Sequence, residues 1–179
     1  GSTVARIFHA LGARVLGYDV RIRHDLGDIL DFVTKDELLA HADVVTMHTD
    51  LNPTSRHLMG AREFSRMKPT AYFVNASRGP VVDTDALIDA LDSHAIAGAA
   101  IDVLEGEADL FGNRLDPAVP LNHPAFERLV AMPNVVITPH IAFFTDVAVK
   151  NMTRESLDDA LTIIRGGTSP HELCQRPLH

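Results

Sequence analysis

The sequence predicts a doubly wound α/β fold, a parallel sheet with helices packed against it, and three observations carry that expectation. Short β-rich runs alternate with stretches of helical periodicity along almost the whole chain. The connections between them are mostly short, which favours right-handed strand–helix–strand units. The run Ala97-Gly98-Ala99-Ala100-Ile101-Asp102 is small and largely apolar, as a strand covered on both faces requires.

Composition sets the outer bounds. A chain of 179 residues suits one ordinary domain. A hydrophobic share of 46% beside 22% charged residues belongs to a folded globular chain, not a disordered one. With 16 basic and 24 acidic residues, a net charge of −8 and no basic cluster, binding of nucleic acid or an anionic membrane has no electrostatic support. The longest apolar run, residues 95–101, is far short of the ~20 residues a membrane-spanning helix needs. A single cysteine, Cys174, excludes an internal disulfide and suits a reducing compartment, so a soluble cytoplasmic protein is expected. The chain opens with Gly1-Ser2 and no Met, a pair that tag removal can leave, so its first residues say nothing about a leader.

Taken in order, Val4, Ile7, Phe8 and Leu11 recur at helical spacing, with Ser2 or Thr3 as the cap and Gly12 as the stop. Residues 14–18 read as a short buried strand ending at Asp19, and residues 20–30 lack a period and read as loop. Phe32-Val33 makes a short edge strand. Thr34 and Glu37 then have the spacing of a capping box and open a helix over 36–41. Residues 43–48 form the next strand, and 51–55, with Pro53, a loop. A short helix over 61–67 leads to a strand over 71–75. Asp83 caps a helix over 84–93 whose apolar face is Leu87, Ile88 and Leu91. After the strand 97–102, Gly106, Gly112, Pro117, Pro120 and Pro124 mark residues 105–124 as a long connection. A helix over 125–130 precedes the strand 135–137. The last helix, 145–165, is closed by Gly166-Gly167, and the polar tail beyond it, with Pro170 and Pro177, is expected to be mobile.

In an open parallel sheet, ligands bind beyond the carboxyl ends of the strands. That rule selects Asp19 after one strand, Arg78 after Asn75, Glu107 after Asp102, and His140 after Ile137-Thr138. A guanidinium, a carboxylate and an imidazole far apart in sequence thus share one edge of the sheet. From the residues alone, solvated loop charges and a catalytic trio both remain open, since strand-end loops collect both.

Three blocks carry a family resemblance: Asn75-Ala76-Ser77-Arg78-Gly79-Pro80-Val81-Val82-Asp83-Thr84, Asp102-Val103-Leu104-Glu105-Gly106-Glu107 and Thr138-Pro139-His140-Ile141-Ala142. In order and spacing they are similar to signature blocks of the D-2-hydroxyacid dehydrogenases, and Val15-Leu16-Gly17-Tyr18-Asp19 adds a fourth match. The resemblance spans about residues 1–165 and implies a Rossmann-like sheet, an oxidoreductase activity on 2-hydroxy acids and NAD as cofactor. Residues 107–152 most resemble the D-lactate dehydrogenase branch, including its vancomycin-resistance type, through the long insertion after Glu107 and the Phe143-Phe144 pair. Phe143 would wall a pocket for a small substrate side chain, although both rings also fit plain core packing.

The resemblance implies the following roles. Arg78 would grip the substrate carboxylate through two parallel hydrogen bonds and lean positive charge toward the carbonyl oxygen. His140 would give up a proton in reduction and take one in oxidation. Glu107 would bond the far ring nitrogen and orient the ring. Asp19 would accept from the adenine ribose hydroxyls and repel a 2′-phosphate, which predicts NAD over NADP. Arg21 and Arg23 read either as phosphate partners or as solvated surface charges. Thr49, Asp50 and Ser55 would lie in a loop passing the cofactor, Ala76, Ser77 and Arg78 would approach it from the next strand, and Asp102 would sit near the nicotinamide amide. Asp50 departs from the family, which usually has proline there, and its charge works against a pyrophosphate-bearing ligand. His48 and His57 flank that loop as supporting residues. No HExxH or paired-ligand spacing joins the other histidines, so no metal site is expected. A small 2-keto or 2-hydroxy acid and, when the protein is full length, a second copy in a homodimer are the implied partners.

The dinucleotide fingerprint should open the first helix. Gly1 lies 18 positions before Asp19, which suits its last glycine. The chain therefore reads as truncated at its N-terminus, lacking the first, central strand. That strand is expected between the one ending at Asp19 and the one beginning near Ala71. Residues 1–140 are the expected NAD-binding domain, and 141–179 a helix and tail returning to a substrate domain. An inactive fragment and an NAD-sensing protein related to transcriptional co-repressors remain alternative readings.

Overall fold

The computed structural model describes residues 1–110 and 123–171. It separates into two compact units, Gly1–His140 and Ile141–His179.

The first unit opens with α1, Ser2–Ala10, whose N-cap is Gly1 without a side-chain hydrogen bond. The expected cap at Ser2 or Thr3 is therefore corrected: both residues already belong to the first turn, and a cap precedes it. Strands β1 (Leu16–Gly17) and β2 (Asp31–Phe32) pair in parallel as a separate two-stranded sheet. The segment read as loop between them contains one 3-10 turn, His24–Leu26, anchored by the buried Leu26. Helix α2, Lys35–His41, starts where the Thr34 hydroxyl accepts from the Glu37 amide at 3.2 Å.

A four-stranded parallel sheet forms the rest of the unit. Its strands β3 (Val44–Met47), β4 (Tyr72–Asn75), β5 (Gly98–Ile101) and β6 (Val135–Ile137) lie side by side in chain order. Met47 stands opposite Asn75, Asn75 opposite Ile101, and Ile101 opposite Ile137, so all four carboxyl ends meet at one edge. The sheet corrects one expectation. Strand β4 is paired on both sides, by β3 and by β5, so no gap lies beside it. In the four-stranded sheet β3 is an edge strand, and β1 and β2 form a sheet of their own. The reason is topological: β3 and β4 are joined by one crossover through α3 (Ala61–Phe64), which lays successive strands next to each other.

Helix α4 (Thr84–Asp92) is capped by the Asp83 carboxylate accepting from Ala86 N at 3.1 Å, and α5 (Pro124–Ala131) leads into β6. Helices α2 to α5 share a core with one sheet face, built on Leu39, Val45, Phe64, Phe73, Ile88 and Leu129. Phe64 meets Phe73 edge-on with ring centroids 5.2 Å apart. Each such ring contributes about 1.5–3 kcal/mol by leaving water. Alternation along the strands leaves Val44 and Tyr72 exposed on the opposite face, whereas β5 is almost wholly buried, as its small residues predict.

The second unit contains α6, Asp146–Ile164, where the Thr145 hydroxyl caps Ala148 N at 3.2 Å. Its apolar residues Leu157, Leu161 and Ile164 are exposed. Among the described residues no helix is long and apolar enough to cross a membrane. Most of the expected long connection, residues 111–122, and the tail from 172, with Cys174 and Pro177, lie outside the described residues.

Candidate active site

The site is built from the turns that leave β4, β5 and β6. Asn75 ends β4 with its side chain buried, and its carboxamide organises the turn. Its Oδ1 accepts from Ser77 N at 3.0 Å and Ser77 Oγ at 2.8 Å, while its Nδ2 donates to the Arg78 carbonyl at 3.1 Å. A buried amide needs such partners, and here they fix the backbone that presents the exposed Arg78. Arg78 Nη1 donates to the Ser77 carbonyl at 2.6 Å, and no described carboxylate pairs with its guanidinium. Gly79 then presses on the turn after β5. A Cβ there would lie 2.2 Å from the Leu104 carbonyl carbon and 2.3 Å from its oxygen, so only glycine permits the approach.

Asp102 follows β5. Its amide donates to the Asn75 carbonyl at 2.9 Å, and its carboxylate accepts from Thr138 Oγ1 at 2.5 Å. Its carbonyl accepts from His140 N at 2.7 Å, so the exits of β4, β5 and β6 are laced together. Two residues further on, Leu104 N donates to Glu107 Oε2 at 2.6 Å, and the other carboxylate oxygen meets His140 Nδ1 at 2.7 Å. His140 holds φ +51, a left-handed conformation that persists for a non-glycine residue only where surrounding contacts impose it. Its side chain is about a third exposed, at 34%.

The expected Glu107–His140 pair is thus formed, and Arg78 is brought to the same edge by Gly79 packing on the Leu104 turn. Asp19 lies beyond β1, exposed, with Oδ1 accepting from Arg21 N at 2.9 Å. Arg23 grips Asp25 through two hydrogen bonds of 2.8 and 2.6 Å, which raises its own pKa and lowers that of Asp25. The guanidinium of Arg23 is therefore committed elsewhere. Gly1, at the head of α1, packs beside His48 at the end of β3. Burial holds the His48 imidazole below the usual histidine range.

In the 50–55 loop, Ser55 Oγ donates to the Asp50 carbonyl at 2.6 Å and accepts from Asn52 N at 2.8 Å, so its hydroxyl shapes the loop itself. The Asp50 carboxylate meets only the Asn52 amide at 3.4 Å among the described residues. Ala76 is exposed and Ser77 buried. The Thr49 hydroxyl is buried and has no hydrogen-bond partner among the described residues, an orphan at the place where a dinucleotide would pass. With the head of α1, the Thr49 hydroxyl and the Asp19 carboxylate, the donor and acceptor set fits such a ligand.

Phe143 and Phe144, in the second unit, are exposed and stack edge-on with centroids 6.1 Å apart. Among the described residues no group of three His, Cys, Asp or Glu side chains is placed to hold a metal ion. No role was expected for Asn75, Gly79, Thr138, Arg56 or Glu105, although the sequence placed Asn75 and Thr138 at strand ends. For Glu105 the signal was in plain view: Glu105-Gly106-Glu107 offers two carboxylates around a glycine, and only one was assigned.

Comparison with known proteins agrees with this geometry. Residues 1–142 match the family model described as D-isomer specific 2-hydroxyacid dehydrogenase, NAD binding domain. A D-lactate dehydrogenase from Treponema pallidum (strain Nichols) is 39% identical over 170 residues, covering 93% of this chain and 50% of that protein. The crystal structure of a D-lactate dehydrogenase with NAD+ from Lactobacillus jensenii superposes with a TM-score of 0.88 at 40% identity, over 98% of this chain and 52% of the other. A D-lactate dehydrogenase from Sporolactobacillus sp gives a TM-score of 0.90 at 49% identity, over 97% of this chain and 52% of the other. The chain spans about half the length of the curated relatives it matches.

Proposed function

Since the chain belongs to the D-isomer specific 2-hydroxyacid dehydrogenases, carrying their NAD-binding domain over residues 1–142, we propose that it is the NAD-binding part of an enzyme that reduces small 2-keto acids, pyruvate foremost, to D-2-hydroxy acids. The observation that carries this reading is the 2.7 Å contact between Glu107 and His140 beside the Arg78 turn. The D-lactate dehydrogenases among its relatives support pyruvate as the substrate.

Bound NAD supplies the two-electron chemistry at the carbonyl carbon. The chain's own residues do the rest. Arg78 offers its planar fork to the substrate carboxylate, a bidentate grip that a point charge does not reproduce. The same positive charge stabilises the negative charge that develops on the carbonyl oxygen. His140 hands that oxygen a proton, and takes it back when the hydroxy acid is oxidised. Because Nδ1 is committed to Glu107, the exchanged proton is the one on Nε2. Glu107, held by the Leu104 amide, keeps the ring oriented through the cycle.

On the cofactor side, Asp19 would accept from the adenine ribose and disfavour a 2′-phosphate, so NAD would be preferred over NADP. Gly1, Thr49, Asp50, Ser55, Ala76, Ser77 and Asp102 would line the rest of the cofactor path. Residues 141–179 belong with a substrate domain, Phe143 walls the substrate side chain, and the full-length protein works as a cytoplasmic homodimer. The test is an assay of the full-length protein with NADH and pyruvate, 2-ketobutyrate or bulkier 2-keto acids, with chiral analysis of the product. D-lactate formation is expected. Tight NADH binding without turnover of any 2-keto acid would favour the NAD-sensing alternative.

A further inference from the structure

Glu105 makes contacts that none of the roles above use. One carboxylate oxygen pairs with Arg56 Nη2 and the other lies 2.9 Å from His57 Nε2. Arg56 and His57 directly follow Ser55, in the loop that carries Thr49, Asp50 and Ser55. Two residues after Glu105, Glu107 holds His140. A single turn therefore bears two carboxylate–imidazole pairs that face different partners, and Gly106 between them, at φ +79, supplies the reversal.

Two further features single out this clasp. His57 holds φ +50, close to the φ +51 of His140, and these two with His94 are the only non-glycine residues at positive φ among the described residues. Its amide is tied to the Pro80 carbonyl at 2.9 Å, just beyond the glycine that packs on Leu104. Nor does stability explain the clasp, because an ion pair as exposed as Arg56 with Glu105 adds little to it.

Resting on the reading of the Glu107–His140 pair as the proton-transfer group, we propose that Glu105 is a positioning residue. Through Arg56 and His57 it anchors the turn that carries Glu107 to the cofactor-side loop, and so sets the placement of His140. The chain is short and stiff: Glu105 is fixed at its carboxylate, Leu104 at its amide and by Gly79, and Glu107 at both oxygens. Releasing Glu105 leaves the turn held by Gly79 at Leu104 and by His140 at Glu107, without its tie to Arg56 and His57.

The test uses the full-length protein and Glu105→Ala, with His57→Asn as a second variant because asparagine tolerates positive φ. In Glu105→Ala, kcat for 2-keto acid reduction is expected to fall about 10- to 100-fold, the scale of a small misplacement of reacting groups, with KM and the NADH dissociation constant within about twofold. In the NADH-free protein, the His140 Nδ1 proton signal, recorded by NMR for wild type and variants alike, should shift or broaden in Glu105→Ala and, more weakly, in His57→Asn. An unchanged kcat would overturn the proposal. So would a fall in kcat with an unaltered His140 signal, or a loss confined to NADH affinity. If the wild type turns over no 2-keto acid, the functional reading fails by itself, and the NMR arm still decides whether Glu105 positions the pair.

Discussion

The corner after β4, β5 and β6 and the corner after β1 are two halves of one candidate site, and they are held in opposite ways. In the first, buried polar atoms fix almost every residue: the Asn75 carboxamide sets the Arg78 turn, Asp102 ties to Asn75, Thr138 and His140, and Glu107 spans Leu104 and His140. In the second, Asp19 is exposed between the exposed side chains of Tyr18 and Val20, and its carboxylate accepts from the Arg21 amide two residues on. The difference suits the roles proposed for each corner. Proton transfer depends on placement within a fraction of an ångström, whereas a carboxylate that selects against a phosphate acts through its charge. The first corner should therefore be brittle and the second tolerant.

Gly79→Ala should show the brittleness at its largest. The new methyl meets Leu104 backbone 2.2 Å away, so the two turns must separate. Activity is expected to fall about 100-fold and stability by about 1–3 kcal/mol, read by steady-state kinetics and thermal melting. A fully active variant would show that the two turns are not held in register. Arg78→Lys keeps the charge and loses the fork, so kcat/KM should drop about 10- to 100-fold while the melting temperature stays put. An unaltered kcat/KM would remove Arg78 from substrate recognition.

The tolerant corner should respond less. Asp19→Asn should raise the NADH dissociation constant by up to about tenfold and improve NADPH binding in the same titration, leaving kcat at saturating NADH nearly intact. A collapse in kcat would mean that Asp19 positions the reaction as well as choosing its cofactor. The smallest effect concerns His48, whose folded pKa lies below its unfolded one because burial disfavours the charged ring. The unfolded state then binds the extra proton, so stability is full above the usual histidine range and declines as pH falls through and below it. His48→Gln should flatten that part of the pH–stability curve, and an unchanged slope would assign the decline to other groups.

The sequence made the brittle corner the easier one to read. Strand ends are marked by apolar runs that stop at a polar residue, so Asn75, Asp102 and Thr138-Pro139-His140 were placed correctly on one edge. What local patterns do not encode is which turn leans on which. Gly79 looks like any turn glycine until the Leu104 backbone is beside it, and Glu105 looks like a solvated charge until Arg56 and His57 arrive from 48 or more positions away. The same limit produced the error about the sheet. Periodicity located β4 but not its neighbours: a gap was expected beside it, and β3 and β5 pair with it on both sides. The cap of α1 was misplaced by one or two residues, the usual uncertainty where a helix begins.

The proposed function turns on His140, held by Glu107, giving up the proton as NADH reduces a 2-keto acid. Comparing the full-length protein with its His140→Asn variant tests it most directly, with NADH binding and pyruvate-dependent NADH oxidation measured on the same samples. The expected result is an unchanged NADH dissociation constant and a loss of about 10²- to 10⁴-fold in kcat, the range for a positioned acid–base group. A variant as active as the wild type would contradict it.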